Sequence, residues 1–354
     1  PPPPPQPYDD RVQVLWAAGL VQGPIDSVVN SHDLKRVYAV VLTADVQHYI
    51  YGPPLIRKLK DNGVKVFAYV RAPVHARIGK VKDYTGGIGP NSPFEHQVYE
   101  LVKRTDAWVR NPQGQVMYHP AGVDVYVTPW LVAEQHAKLV REWVWKLGLF
   151  DGILADGLVT NQIYAGGSAD FDRDSVADVV KRGWKSVSSQ QFGALAQWHS
   201  ILNGVPVVGN GSWETLALGG TSPWYFRIGG AYDEDLTHPI YIDGDENQQV
   251  PPLSQRGEMH RVCADKWLAA GQDYWLGSRA RLYNLPRDRE LRYTIASALV
   301  VGSKLVENSK HDWLTKPLGK PLSLDIGNGV WVRKFERGQV VCYTVTYDGA
   351  VEYN

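Results

Sequence analysis

The chain has 354 residues, 44% of them hydrophobic and 21% charged, which is enough apolar material for one large core with a smaller satellite and excludes disordered and fibrous architectures. Its 37 Lys and Arg balance 37 Asp and Glu, and the charges are scattered. No basic stripe exists to neutralise nucleic-acid phosphates or hold an anionic membrane, and no apolar run is long enough to span a bilayer, so neither partner is expected.

In chain order, Pro1 to Pro7 form a Pro-rich stretch that cannot pack as helix or central strand. Residues 1–10 are expected to be a stiff arm or linker that tethers the module to another domain or protein, and an opening on Pro1 rather than methionine fits a leader or upstream domain before it. From Arg11 onward, strand-like apolar runs alternate with amphipathic stretches. The runs are Val12–Ala17, Tyr38–Thr43, Val64–Val70, Val123–Thr128, Asp151–Asp156, Pro206–Asn210, Trp224–Gly229 and Asp273–Gly277. Helical spacing falls at Pro54–Asn62, Phe94–Thr105, Trp130–Leu147, Ser189–Asn203, Gln255–Ala270 and Arg287–Val301. Continuous apolar runs separated by helices indicate parallel strands covered on both faces, and eight such units predict an α/β protein, a closed (β/α)8 TIM barrel, over 11–308. A doubly wound open sheet is the second reading. Over 309–354 the pattern changes to alternating segments around Gly329, Gly338 and Gly349, which predicts a small antiparallel β domain packed on the barrel.

The most informative stretch is the helix from Thr128-Pro129 to Gly148 followed by Phe150-Asp-Gly-Ile-Leu-Ala-Asp156. Val132, His136, Leu139, Val140, Trp143, Val144 and Leu147 recur at helical spacing and predict one apolar face. Side chains alternate along a strand, so Gly152, Leu154 and Asp156 share a face, with Asp156 last. A barrel carries its catalytic acids at such strand ends. Asp151, at the opposite end and on the other face, is expected to bind backbone, and the bland reading of Asp156 itself is a carboxylate capping the next loop.

Placing the strand ends on one rim gathers carboxylates, aromatic faces and amides. Glycosidic-bond hydrolysis needs such a set: one acid protonates the leaving oxygen while a carboxylate stabilises or attacks the anomeric carbon. Asp156 is the candidate nucleophile or base. Glu234 is the candidate acid, because crowding by Asp233 and Asp235 would raise its pKa. Trp16, Asp45, Tyr69, Arg71, Asp124, Asn210, Trp213 and Glu214 are the candidate substrate-binding residues. The inserts Arg71–Ser92 and Leu158–Ser188, carrying Tyr84 and Tyr164, are expected to wall a groove beside them. Acidic strand ends also occur in metal-dependent barrels, but the ten histidines show no metal-binding spacing. Asp170-x-Asp172-x-Asp174 begins like a calcium loop, yet Ser175 stands where glycine is needed and Lys181 where the closing Glu belongs. No metal and no cofactor is expected. Cys263, on a helix, and Cys342, in the C-terminal sheet, are expected to stay unbonded.

Trp16 on an early strand, Lys60-x-x-Gly63-x-Lys65-Val-Phe-Ala-Tyr69, the Phe150–Asp156 strand and Val208-Gly-Asn-Gly211 resemble glycoside hydrolase family 114, the endo-α-1,4-polygalactosaminidase-like barrels. The resemblance runs through residues 11 to 305 and implies that Asp156 is the family's catalytic Asp. The family's strand-two acid falls near Asp45, and its Asp-x-Thr-Asn-Pro run is replaced by Val125-Tyr-Val-Thr-Pro129. A secreted, cell-surface or virion-associated glycosidase with a polysaccharide or oligosaccharide partner is therefore expected. The second reading is a non-catalytic carbohydrate-binding or structural module on the same scaffold.

Overall fold

The computed structural model describes residues 9–20, 22–71, 75–77, 93–118, 124–156, 169–178, 198, 201–202, 204–210, 229–233, 253–269, 271–277 and 286–354. Its strands begin with β1 (Gln13–Trp16), β2 (Val37–Thr43), β3 (Lys65–Arg71), β4 (His75–Arg77) and β5 (Asp124–Tyr126). They continue with β6 (Gly152–Asp156), β7 (Val207–Asn210), β8 (Gly229–Asp233), β9 (Asp273–Gly277) and β10 (Lys304–Val306). The helices are α1 (Gln22–Asn30), α2 (Gly52–Asp61), α3 (Pro93–Thr105), α4 (Pro129–Val140), α5 (Leu253–Ala269), α6 (Arg287–Val301) and the single turn α7 (Asp312–Thr315).

Eight parallel strands close into a barrel in the order β1-β10-β9-β8-β7-β6-β3-β2, as expected. Two memberships differ from expectation. Val123–Thr128 contributes β5, which pairs antiparallel with β4 outside the barrel. The eighth barrel strand is β10, whose three residues are too few to show a period in sequence. The stretch Trp224–Gly229 lies outside the described residues except for its last glycine, where β8 begins. Helix α1 has no counterpart among the expected elements: its nine residues bury only Ile25 and Val29, too few apolar positions to mark a stripe.

The barrel interior is filled from alternate positions. Val14, Val41, Phe67, Tyr69, Leu154, Val208, Tyr232, Trp275 and Val306 form one buried cluster, with Trp16 packed against it. Glycine is required where bulk already fills the space. A Cβ at Gly152 would sit 2.5 Å from the Phe67 ring, and one at Gly230 would sit 2.6 Å from the Asp273 carbonyl oxygen. Leu15, Val40, Leu42, Val66, Val70, Ile153 and Ala155, at the other parity, join the shell beneath the helices.

Helix α4 starts at Thr128, followed by proline in the first turn, but the Thr128 hydroxyl makes no capping bond. It runs into a π turn over Arg141–Trp145. The buried Gln47 amide donates to the Trp143 and Val144 carbonyls at 2.8 and 3.0 Å, satisfying groups that the wider turn exposes. Gly148 at φ +64° ends the segment. Val132, His136, Val140 and Val144 are buried as the spacing predicts, while Leu147 is half exposed.

The C-terminal sheet has four antiparallel strands, β11 (Pro321–Gly327), β12 (Val330–Phe335), β13 (Gly338–Tyr343) and β14 (Asp348–Tyr353), in that order. It packs on α6. Trp331, Phe335, Val340 and Cys342 share a buried cluster with Ile295, Ala296 and Leu299. A Cβ on Gly349 would lie 2.4 Å from Ala296 Cβ, so the sheet and helix touch backbone to side chain. Arg333 Nη1 donates to the Val300 carbonyl at 2.7 Å, and Arg292 holds Asp348 with two bonds of 2.8 and 3.0 Å. Cys263 and Cys342 are buried and no disulfide joins them, as expected. Burial pushes the Cys342 thiol up to about 12.

Candidate active site

Asp156 ends β6 with its side chain turned into the barrel mouth. The Tyr69 hydroxyl donates to Asp156 Oδ2, and Asn210 Nδ2 donates to Oδ1 at 2.7 Å. Both partners come from the strands that flank β6, near their carboxyl ends, so the sheet register itself builds the site. Burial, then the neighbouring Asp156 carboxylate, raises the Tyr69 phenol well above its ordinary pKa, so Tyr69 remains a proton donor. Asp151, in contrast, accepts from the Val66 amide at 2.9 Å and pairs with Lys60 at 3.0 Å, the backbone role anticipated for it.

An aromatic wall adjoins the carboxylate. The Trp16 ring meets Tyr69 edge to face at 5.5 Å between centroids and lies tilted against Tyr232 at 6.1 Å. The backbone of Trp16 is clamped by Asn308, which accepts from its N–H and donates to its carbonyl, each at 2.7 Å. Trp16, Tyr69, Arg71, Asp156 and Asn210 are thus brought to one mouth by the ends of β1, β3, β6 and β7.

Arg71 is the register partner of Asp156 on β3. Its guanidinium lies 3.9 Å from Glu95 in the first turn of α3, and both side chains are buried. Glu95 had no signal in sequence, because an acidic residue in a first helical turn ordinarily complements the helix dipole. Tyr232 and Asn308 were also not selected. The first sits one residue inside the end of its strand, and the second follows a strand too short to recognise.

The remaining candidates divide. Asp45 is 2% exposed and is not turned to solvent: it accepts from the Phe94 amide at 3.2 Å and from Trp143 Nε1 at 2.9 Å, tying α3 and the π turn to the end of β2. Its place is therefore an internal anchor rather than the open mouth expected of a substrate contact. Asp124 belongs to β5, opposite Arg77, so the barrel-strand end that nominated it does not exist. Glu234, Trp213 and Glu214, and the insert residues Tyr84 and Tyr164, lie outside the described residues. Asp170, Asp172 and Asp174 do converge, with one oxygen from each within 4.8 Å of the others. Asp170 already accepts from the Ser175 amide at 2.8 Å and the Asp174 amide at 3.2 Å, so the cluster is also a hydrogen-bonded loop.

No protein-family model matches the chain, and no curated protein matches it in sequence. Solved structures match it in fold. The α-galactosidase TtGalA of Thermus thermophilus, in complex with p-nitrophenyl α-D-galactopyranoside, aligns with a TM-score of 0.50 at 12% identity, covering 96% of this chain and 67% of that one. A variant of the glycoside hydrolase domain of PelA from Pseudomonas aeruginosa aligns at 0.47 and 14% identity, covering 84% of this chain and 95% of that domain. Ega3 of Aspergillus fumigatus, in complex with galactosamine, aligns at 0.40 and 9% identity, covering 77% and 78%. At such identities the likeness is one of architecture: this chain has a barrel of the kind that glycoside hydrolases use.

Proposed function

We propose that the chain is an O-glycosyl hydrolase acting on a polysaccharide or oligosaccharide, with Asp156 as its nucleophile or base. The observation that carries this reading is the pair of donors on Asp156. Tyr69 O–H and Asn210 N–H occupy one oxygen each, an arrangement suited to an ionised, acceptor-only carboxylate rather than to a proton-donating acid. In a hydrolase, an Asp156 oxygen would either bond to the anomeric carbon as the glycosidic C–O bond breaks or take a proton from the attacking water. A separate acid would protonate the leaving oxygen. Glu234 is our candidate for that acid, on the strength of its crowded sequence context.

Trp16 gives the mouth an apolar face against which the C–H surface of a sugar ring can stack, while Asn210 and Tyr69 bind hydroxyl groups. The fold shared with the Thermus α-galactosidase supports a glycosidic substrate, and the resemblance to family 114 barrels supports a polymeric one in an extracellular, cell-surface or virion setting.

The test is release of reducing ends from neutral, acidic and amino polysaccharides by the wild-type chain and by Asp156→Asn. Release that disappears in the variant supports the reading. Oligosaccharide binding without release, seen as a change in tryptophan emission, would replace it with a carbohydrate-binding module. Neither binding nor release would end it.

A further inference from the structure

Strand β10 leaves β1 before β1 ends, and a side chain completes the seam between them. Their register stops at Val14 and Val306, whereas β1 runs on to Trp16. Parallel strands exchange evenly spaced backbone bonds. Along this seam the Leu305 amide donates to the Val12 carbonyl at 2.9 Å and the Glu307 amide to the Val14 carbonyl at 3.0 Å. Continued by one step, the ladder would give the Trp16 N–H to the Glu307 carbonyl and the Ser309 N–H to the Trp16 carbonyl. Both groups are engaged elsewhere. The Glu307 carbonyl accepts from the Gln13 side-chain amide, and the Ser309 N–H donates to the Glu307 carboxylate, each at 2.8 Å. Asn308 takes their place: its Oδ1 accepts from the Trp16 N–H and its Nδ2 donates to the Trp16 carbonyl, each at 2.7 Å. A carboxamide offers an acceptor and a donor on separate atoms, as a peptide group does, and neither a hydroxyl nor a carboxylate can.

We propose that Asn308 is a positioning residue for sugar binding: by standing in for the missing ladder step it fixes the end of β1, and with it the Trp16 ring at the mouth. The other flank of this end is held by β2, where the Ala17 amide donates to the Val41 carbonyl at 2.9 Å. From there the ring packs against Tyr69 and Tyr232. A stacking platform binds best when its orientation is set before the ligand arrives, because ordering it on binding subtracts from affinity. Without Asn308 the Trp16 peptide groups turn to water and β1 is held along one flank only. Its end then frays, and the ring loses its fixed place. The inference rests on the carbohydrate reading of the mouth for its functional meaning, but the clamp exists without substrate.

The test observes Trp16 first. Its indole N–H resonance is assigned in 1H–15N spectra by its loss in Trp16→Phe, and its backbone amide is followed by hydrogen exchange. In Asn308→Ala the amide should exchange at least tenfold faster, and the indole resonance should move as the ring leaves Tyr69 and Tyr232. Asn308→Asp keeps the size of the side chain but sets a carboxylate against the Trp16 carbonyl, so the indole resonance should move there too. A residue that only filled space would leave Asn308→Asp like the wild type, and an unmoved resonance in both variants would overturn the proposal. So would a Trp16 amide that exchanges freely in the wild-type chain, a measurement that needs no variant to fold. On an oligosaccharide that binds the wild-type chain, Asn308→Ala should weaken affinity at least fivefold, in KM rather than kcat where cleavage is found. In a Trp16→Ala background the same substitution should change affinity no further, because the platform it serves is gone. A second loss of equal size would overturn the proposal. If exchange and spectra behave as described while no oligosaccharide binds, the carbohydrate reading fails and the placement of Trp16 by Asn308 stands.

Discussion

The two ends of the barrel interior use the same pair of side chains to opposite effect. At the mouth, the Tyr69 hydroxyl donates to Asp156; at the floor, the Tyr38 hydroxyl donates to Asp273 at 2.6 Å. The floor pair is surrounded by cations. Lys65 donates to the Tyr38 oxygen at 2.7 Å, and the Lys65 and Lys304 ammonium groups lie 4.5 and 4.1 Å from the Tyr38 ring centroid. Lys304 also donates to the Arg11 carbonyl at 2.7 Å, which draws the entering chain across the opening. Burial, and then Asp273, push the Tyr38 phenol upward, and burial pushes Lys304 downward. Tyr38, Asp273, Lys65, Lys304 and the Arg11 carbonyl are thus tied into one cluster. At the mouth, Asp156 has two neutral donors, and the Trp16 ring packs against one of them. A Tyr–Asp hydrogen bond is therefore a plug or a candidate reactive centre according to what surrounds it.

The sharpest way to break this comparison is to remove the mouth charge. Asp156→Asn keeps the shape, and the Asn210 and Tyr69 contacts can be re-formed, so thermal stability should stay close to wild type. Any glycosidase activity should fall by about a thousandfold or more, because the interaction lost is one made in the transition state. Tyr69→Phe should cost about ten- to a hundredfold in kcat, as it removes one donor from the carboxylate. Steady-state kinetics beside a melting curve check both. Full activity in Asp156→Asn would make the mouth pair as structural as the floor pair.

How far the mouth could be read from sequence follows from the period of a strand. Alternation along Gly152-Ile-Leu-Ala-Asp156 puts Asp156 on the inner face whatever the rest of the chain does, and a helix with an apolar stripe leads into it. Tyr69, Arg71 and Asn210 came from the same rule on β3 and β7. Glu95 and Asn308 did not, because each reaches the site by tertiary packing, from a helix start and from a segment beyond a three-residue strand. Asp124 failed because an apolar run that belongs to a hairpin has the same local pattern as one that belongs to a barrel. The floor was invisible for a further reason: Tyr38 lies more than two hundred residues from both Asp273 and Lys304, and nothing local marks them as partners.

The two ends must be compared at several pH values against the background set by His136. This ring is buried, stacks on Trp198 at 5.2 Å, and accepts at Nδ1 from the indole N–H at 3.1 Å. Burial holds its pKa down to about 3. The unfolded chain takes up this proton near pH 6.5 while the folded chain does not, so stability is complete above about 6.5 and declines as the pH falls toward 3. The decline is expected at up to about 1.4 kcal/mol per pH unit. Urea unfolding at pH 7 and 4.5 should show a loss of about 2–3 kcal/mol from this residue, and His136→Gln, which keeps an acceptor for Trp198, should remove most of that slope. An unchanged slope would place the acid-sensitive group elsewhere.

At the floor, stability replaces activity as the readout. Asp273→Ala leaves the Tyr38 hydroxyl without its carboxylate acceptor and removes one of the anions that act on Lys304, so unfolding should become easier by about 2 kcal/mol. Activity or oligosaccharide binding at the mouth, on the far side of the Phe67, Leu154 and Trp275 layer, should be unaffected at a temperature where the variant is folded. A variant of native stability would show that the lysines and the entering chain close the floor without it.

The smallest effect belongs to a third aspartate with donors of its own. Asp348 at the start of β14 accepts both bonds from Arg292 on α6, but its side chain is 32% exposed and that of the arginine 36%. The hydrogen bonds from Arg292 lower its pKa, so the pair stabilises the fold above the ordinary carboxylate range and is lost as the pH falls through and below 3.8. Solvent screens such a pair, and the seam between sheet and barrel is already sealed by Trp331, Phe335, Cys342 and the close contact of Gly349 with Ala296. Asp348→Asn should therefore cost about 0.5–1 kcal/mol in urea unfolding at pH 7, less in high salt, and nothing at the mouth. A loss several times larger would mean that the sheet is held by its charges rather than by its apolar face. In that case burial would not be what separates a structural aspartate from a reactive one in this chain.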